Sequence, residues 1–151
     1  MTDLATLSAR GLAKAIRDKQ VSSVEATKAA IERLQACHEL TNCIIALEAD
    51  EALAAAKAAD AAIAKGGASG PLAGVPLAHK DMFDRQGKIA SWGAKIRADK
   101  PAIADATAIA RFKASGALQI EDRSEAAKRI REELFGKYTK AQLDAVALAV
   151  T

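Results

Sequence analysis

Aromatic residues, proline and cysteine are all scarce in this chain. Aromatic side chains make up 3% of the 151 residues, and there are 3 prolines and 2 cysteines. A core without large rings must be built from alanine, leucine, isoleucine and valine, a composition that favours helices. Every apolar run is far shorter than the roughly 20 residues that a membrane-spanning helix requires. The composition therefore predicts a helix-rich protein that does not enter a membrane.

An excess of one charge is also missing. The 22 lysines and arginines are dispersed among 19 aspartates and glutamates, and the net charge is +3. A nucleic-acid-binding surface needs clustered positive charge, so no nucleic-acid partner is expected. The first ten residues, MTDLATLSAR, lack the charged and then apolar pattern of a secretory signal. We therefore expect a cytoplasmic protein.

No metal or cofactor motif is apparent. Cys37 and Cys43 flank His38, but a structural zinc site normally has four ligands, and the only other histidine is His79. Neither a Gly-x-Gly-x-x-Gly nor a Gly-Lys-Ser/Thr nucleotide-binding motif occurs. We expect reduced thiols, no metal and no cofactor.

Four helices are predicted before residue 120. They span residues 8–18, 22–37, 49–65 and 105–114. Ser22 followed by Glu25 fits a capping box, in which each side chain binds a backbone N–H of the other residue. Gly66 and Gly116 are typical helix terminators.

Short apolar segments at residues 42–47, 75–80 and 117–120 predict three strands. Helices between successive strands indicate crossover units and a mainly parallel sheet. From residue 121 to 140, eleven of twenty residues are charged, and apolar residues recur at helical spacing. We expect a helix-rich α/β region over residues 1–120 and a charged, amphipathic helical tail over 121–151.

The stretch GPLAGVPLAHKDMFD contains an unusual group of ionisable residues. The apolar residues 75–78 end in His79, Lys80 and Asp81. The residues alone leave three possibilities for Lys80. It extends into solvent, it pairs with Asp81 or Asp84, or it has a functional role.

Together with SWGAKIRADKPA and DATAIARFKASGAL, this stretch resembles the amidase signature family, whose members hydrolyse linear amides or transfer their nitrogen. The resemblance covers about residues 1–120. It implies part of a large mixed sheet wrapped by helices, here with about three strands.

The resemblance also implies a role for Lys80 as the base of a Ser, cis-Ser, Lys triad. A lysine acts as a base when desolvation or a neighbouring cation lowers its pKa, and the end of an apolar strand is a place where that can occur. His79 is then a polar neighbour of Lys80. A small-molecule amide is the implied substrate, and its identity stays open.

The two serines of that triad have no matching positions. After Ile120 the sequence reads EDRSEAAKRIREELFG, where the family has a Gly- and Ser-rich loop. Ser124 is expected to be a helix cap or a solvated helix residue, and Ser69 precedes the lysine strand. Without these serines we expect no activity from the chain alone.

Two alternatives stay open. The chain could be a non-catalytic interaction module whose helices from residue 121 onward bind a partner or a second copy, and a homodimer could form through those helices or through an exposed sheet edge. It could also be a fusion or frameshift product without an evolved function.

Overall fold

The computed structural model describes residues 4–67 and 70–119, and they form helices around a small sheet. The α-helices are α1 (Ala9–Arg17), α2 (Ser23–Thr41), α3 (Ala49–Ala64) and α4 (Thr107–Ala114), and 3-10 turns occur at Leu4–Thr6 and Lys95–Arg97. The strands are β1 (Pro76–Leu77) and β2 (Leu118–Gln119). The predicted helix-rich α/β class is confirmed, and the predicted tail over residues 121–151 lies outside the described residues.

Local side-chain bonds define where α1 and α2 begin. The Ser8 hydroxyl oxygen accepts a hydrogen bond from the Gly11 N–H at 3.1 Å. At α2 the Ser22 N–H donates to the Glu25 carboxylate at 2.8 Å, and the Glu25 N–H donates to the Ser22 hydroxyl oxygen at 3.0 Å. The predicted capping box is confirmed, and α2 continues beyond the predicted end at residue 37 to Thr41.

The predicted strand at residues 42–47 is wrong. Asn42 adopts a left-handed backbone conformation, with φ 50°, and ends α2. Two residues later, the Ile44 N–H donates to the His38 Nδ1 at 3.0 Å. That backbone donor is therefore bound to a side chain of the preceding helix and is not available to a neighbouring strand.

The two strands that do form are parallel, as predicted. Pro76 lies opposite Leu118, and Leu77 lies opposite Gln119. The segment before β1 is bound to the end of α4, because the Leu72 N–H donates to the Ser115 carbonyl at 2.9 Å. Parallel pairing brings the carboxyl ends of β1 and β2 to the same edge, which is where Lys80 follows β1.

Small aliphatic side chains form the core, as the scarcity of aromatic residues predicted. Its buried cluster consists of Ala13, Ile16, Ala26 and Val75. Partly buried Leu12, Val21, Ile63 and Leu72 pack against it. The cluster joins α1, α2 and the start of β1, so it fixes the strand that leads to Lys80.

Asp60 of α3 binds the first turn of α2. Its carboxylate accepts hydrogen bonds from the Ser23 N–H at 2.7 Å and from the Val24 N–H at 3.1 Å. These amides lie at the helix N-terminus, where an anion also interacts favourably with the helix dipole.

Replacing Asp60 with alanine should therefore lower the free energy of unfolding by about 1–2 kcal/mol, the usual cost of removing a helix cap. Urea denaturation followed by circular dichroism measures this loss. Asp99→Ala is the matched control, because Asp99 is exposed and its removal should cost less than about 0.5 kcal/mol. Equal losses in the two variants would contradict the role assigned to Asp60.

Candidate active site around Lys80

Lys80 lies in a tight turn just beyond β1. Its carbonyl oxygen accepts hydrogen bonds from the Met82 N–H at 2.7 Å and the Phe83 N–H at 3.2 Å. These bonds reverse the chain immediately after the lysine. The turn therefore fixes the backbone of Lys80 at the edge of the sheet.

The Lys80 side chain is exposed, and within residues 4–67 and 70–119 no hydrogen bond or ion pair is found for it. Burial of this side chain at the strand end, which the sequence led us to expect, is therefore not seen. Pairing with Asp81 or Asp84 is not seen either. Those two carboxylates bind other partners.

Asp81 joins the lysine turn to the segment that contains Ser91. One carboxylate oxygen accepts from the Ser91 N–H and the other from the Ser91 hydroxyl, each at 2.9 Å. The Asp81 carbonyl also accepts from the Trp92 N–H at 3.3 Å. Three bonds from one residue thus hold Trp92 next to the turn of Lys80.

Arg97 supports the same region from the adjacent 3-10 turn. Its guanidinium lies 4.5 Å from the centre of the Trp92 ring, a cation–π distance. Its Nε donates to the Ala90 carbonyl at 3.1 Å, and its Nη2 lies 3.3 Å from the Asp84 carboxylate. Trp92 is therefore fixed by both its backbone and its ring, yet its exposed fraction is 56%.

A second charged cluster fastens this loop to α3. The Arg85 Nη1 lies 3.0 Å from one Glu48 carboxylate oxygen, and the Lys88 Nζ lies 2.5 Å from the other. Glu48 and Arg85 are only 10% and 12% exposed, whereas the outer member of the cluster, Glu51, is 67% exposed. Local sequence patterns do not reveal this cluster, because the ionic partners lie 37 or more positions apart.

Asp105 anchors the end of the loop. The Lys113 ammonium donates to it at 2.6 Å and the Gln86 N–H at 2.8 Å, and these bonds hold the pKa of Asp105 below its ordinary value of 3.8. A carboxyl group with a lowered folded-state pKa stabilises the fold above its unfolded-state pKa. That stabilisation is lost as the pH falls through the folded-state value.

The difference in unfolding free energy between the unmodified chain and Asp105→Asn should accordingly be about 1 kcal/mol at neutral pH. It should shrink toward zero as the pH falls below 3.8. Urea denaturation at a series of pH values above and below 3.8 measures this. A difference that does not change with pH would show that the Asp105 charge is not involved, and Asp99→Asn provides the baseline.

Of the other residues considered from the sequence, the structure describes His79, Cys37 and Cys43. His79 is half-buried beside Lys80, and Cys37 and Cys43 are exposed thiols. Within the described ranges, no group of three or more His, Cys, Asp or Glu side chains is placed to hold a metal ion. No described helix is long and apolar enough to cross a membrane. Ser69 and Ser124 lie outside the described residues.

Comparison with known proteins identifies the class of protein. The family model named Amidase matches residues 25–121, which include both strands, the Lys80 turn and the Trp92 segment. The chain belongs to the amidase family, as the resemblance predicted.

Two curated relatives are glutamyl-tRNA(Gln) amidotransferase subunits of the same type. The protein from Azoarcus sp. (strain BH72) is 42% identical over 109 residues, and the one from Thiobacillus denitrificans is 44% identical over 109 residues. Each match covers 72% of this chain and 22% of the relative. The chain therefore spans about a fifth of the length of these relatives.

Solved structures also match this chain over only part of their own length. A fatty acid amide hydrolase matches with a TM-score of 0.74 and 30% identity, over 79% of this chain and 21% of the enzyme. A protein from a vestigial complex that bears on the origins of an s-triazine catabolic enzyme matches with a TM-score of 0.69 and 32% identity. That match covers 76% of this chain and 25% of the other.

Proposed function

We propose that this chain carries the lysine base of an amidase-type site and that it hydrolyses no amide unaided. The observation that carries the proposal is the position of Lys80, which lies three residues beyond the end of β1 in a chain of the amidase family and is exposed. The implied reaction is hydrolysis of a linear amide, which consumes water and releases a carboxylic acid and ammonia or an amine. The cytoplasm is the proposed location.

A base alone does not complete such a site. Acyl transfer needs a nucleophile whose proton the base accepts and N–H donors that stabilise the oxyanion. In this sequence the residues after Ile120 are rich in charge, and the first glycine there is Gly136. The Gly- and Ser-rich loop that the resemblance leads one to expect is therefore not found in the expected place.

We expect the purified chain to release no ammonia from simple linear amides and to resist labelling by a serine-directed fluorophosphonate. Lys80→Ala is the matched control, and it should change the unfolding free energy by less than about 0.5 kcal/mol because the side chain is exposed. Turnover that Lys80→Ala abolishes would contradict the proposed inactivity and support the role of Lys80. Turnover that the variant leaves unchanged would contradict both parts of the proposal.

The second candidate is a non-catalytic interaction module that binds a partner protein or a second copy. Exposed large apolar side chains favour it, and they include Met82, Trp92 and Ile96. Light scattering on a size-exclusion column measures the mass of the chain in solution. A monomer that binds no partner protein would argue against this candidate.

A further inference from the structure

An apolar groove runs along one face of α2. Its volume is about 350 Å³, and most of its lining comes from α2 between Ala26 and Cys37. The rest of the lining is aliphatic and comes from Leu4, Leu12, Pro76 and Ala78. We call this site the α2 groove. It is formed by the helix together with the segment of chain that leads to Lys80.

The lining of the α2 groove determines what kind of segment fits there. α2 contributes Ala26, Ala29 and Ala30, and side chains this small allow another helix to approach closely. Among the described residues that line the groove, only Arg33 is charged. Within residues 4–67 and 70–119, no hydrogen bond or ion pair is found for its side chain. A complementary occupant is therefore an apolar helical segment that carries a negative charge.

The same chain contains a segment of this kind. Residues 141–150 read AQLDAVALAV, in which eight of ten residues are apolar and Asp144 is the only ionisable one. Apolar residues recur at the i, i+3, i+4 and i+7 positions of one helical face, at Leu143, Val146, Ala147 and Val150. By contrast, eleven of the twenty residues from 121 to 140 are charged, so that stretch does not match an apolar groove.

The length of the segment and the path of the chain also fit. α2 rises about 17 Å along the groove, and a helix of ten residues is about 15 Å long. The chain leaves the described region from β2, where Leu118 lies opposite Pro76, a residue that lines the groove. Residues 120–140 span about 30 Å even as a continuous helix, which is enough to bring residues 141–150 to the groove.

We propose that residues 141–150 bind in the α2 groove of the same chain, with their apolar face against the alanines of α2. The opposite charges of Asp144 and Arg33 orient the bound segment. The segment covers Cys37, which the described residues leave exposed, and it packs beside the residues that lead to Lys80. The inference does not depend on the catalytic role proposed for Lys80.

Alkylation of the two cysteines tests the proposal on the full 151-residue chain. Both thiols are exposed, but only Cys37 lines the groove. Peptide mass spectrometry measures the rate at which iodoacetamide modifies each thiol, and each rate is divided by that in the urea-unfolded chain. We expect Cys37 to be slowed at least about tenfold, because buried aliphatic side chains hold the segment in place. Cys43 should react at nearly its unfolded rate.

Val146→Asp places a charge on the apolar face of the segment and should bring the rate of Cys37 close to that of Cys43. Gln142→Asp is the matched control, because it adds the same charge to the same segment at a position that is already polar. It should preserve the protection of Cys37, and both variants should keep the helix content measured by circular dichroism. Equal rates for the two thiols in the unmodified chain, or protection that Val146→Asp leaves intact, would overturn the proposal.

Arg33→Glu tests the contact from the groove side, at an exposed position of α2. It should raise the rate of Cys37 by about twofold to fivefold, the effect expected from one exposed ion pair. Adding Asp144→Arg to this variant exchanges the two charges and should restore the protection. Protection that the exchange does not restore would overturn the assignment of Asp144 to Arg33.

Dilution distinguishes binding within one chain from binding between two copies. A contact within one chain does not depend on concentration, so the protection of Cys37 should be unchanged over about a hundredfold dilution. Light scattering should show a monomer under the same conditions. Protection that is lost on dilution, together with the mass of a dimer, would assign the groove to a second copy and would overturn the proposal.

Discussion

Gly74→Ala should lower the free energy of unfolding by about 3 kcal/mol or more, because it combines backbone strain with overpacking. Gly74 has φ +77°, and a methyl group there would lie 2.2 Å from the Ser23 hydroxyl oxygen and 3.3 Å from the Ile16 Cγ2. Ser23 is fully buried and its hydroxyl donates to the Gly74 carbonyl, so it cannot move aside without losing that bond. The contact lies directly before β1, and its disruption should also displace the strand that leads to Lys80.

Gly87→Ala provides a closely matched control. Gly87 also has φ +77°, but no atom lies within 4 Å of the position that a methyl group would occupy. Gly87→Ala should therefore lower the free energy of unfolding by about 1 kcal/mol, through backbone strain alone. Urea denaturation of the two variants separates strain from packing, and equal losses would show that the buried contact with Ser23 contributes nothing.

Glu48→Gln should lower the free energy of unfolding by about 3 kcal/mol, the usual cost of removing one charged partner of a buried ion pair. The carboxylate of Glu48 lies between Arg85 and Lys88, and both Glu48 and Arg85 are nearly buried. Glutamine preserves the shape but removes the charge, so the two cations lose the carboxylate that offsets their desolvation. The loop from Lys80 to Arg97 should loosen as a result.

Glu51→Gln is the control for this prediction, since Glu51 meets the same Lys88 ammonium at 3.4 Å from an exposed position. Its loss should be below about 0.5 kcal/mol, as for other exposed pairs, and should disappear at high salt. The loss from Glu48→Gln should persist at high salt because the pair is shielded from solvent. Chemical denaturation at low and high ionic strength measures both, and equal salt sensitivity would contradict the distinction.

Local patterns in the sequence predicted the helices well. A helix cap joins residues three positions apart, as the Ser22 and Glu25 bonds do, so a short stretch of sequence contains the whole interaction. The prediction failed at residues 42–47, where composition favoured a strand. The deciding interaction there is a bond from the Ile44 N–H to His38, and hydrophobic patterning carries no information about such a bond.

For the candidate site, the sequence predicted a strand from residue 75 to Lys80, whereas β1 ends at Leu77 and Lys80 lies three residues later in a turn. The membership of the amidase family was also predictable, because it rests on the order and spacing of residues along the chain. The bonds from Asp81 to Ser91 and the stacking of Arg97 on Trp92 were not predicted. Each depends on how the loop after Lys80 folds back on itself.

The sequence by itself therefore determined the helix starts, the parallel α/β class and the family, since all of these depend on residues close together or on their linear order. Only the tertiary structure decided that Lys80 is exposed, that Asp60 caps α2 and that Glu48 holds Arg85. The physical reason is distance along the chain. Asp60 and Glu48 each meet partners about 37 positions away, and which partners meet depends on how the helices and the sheet pack.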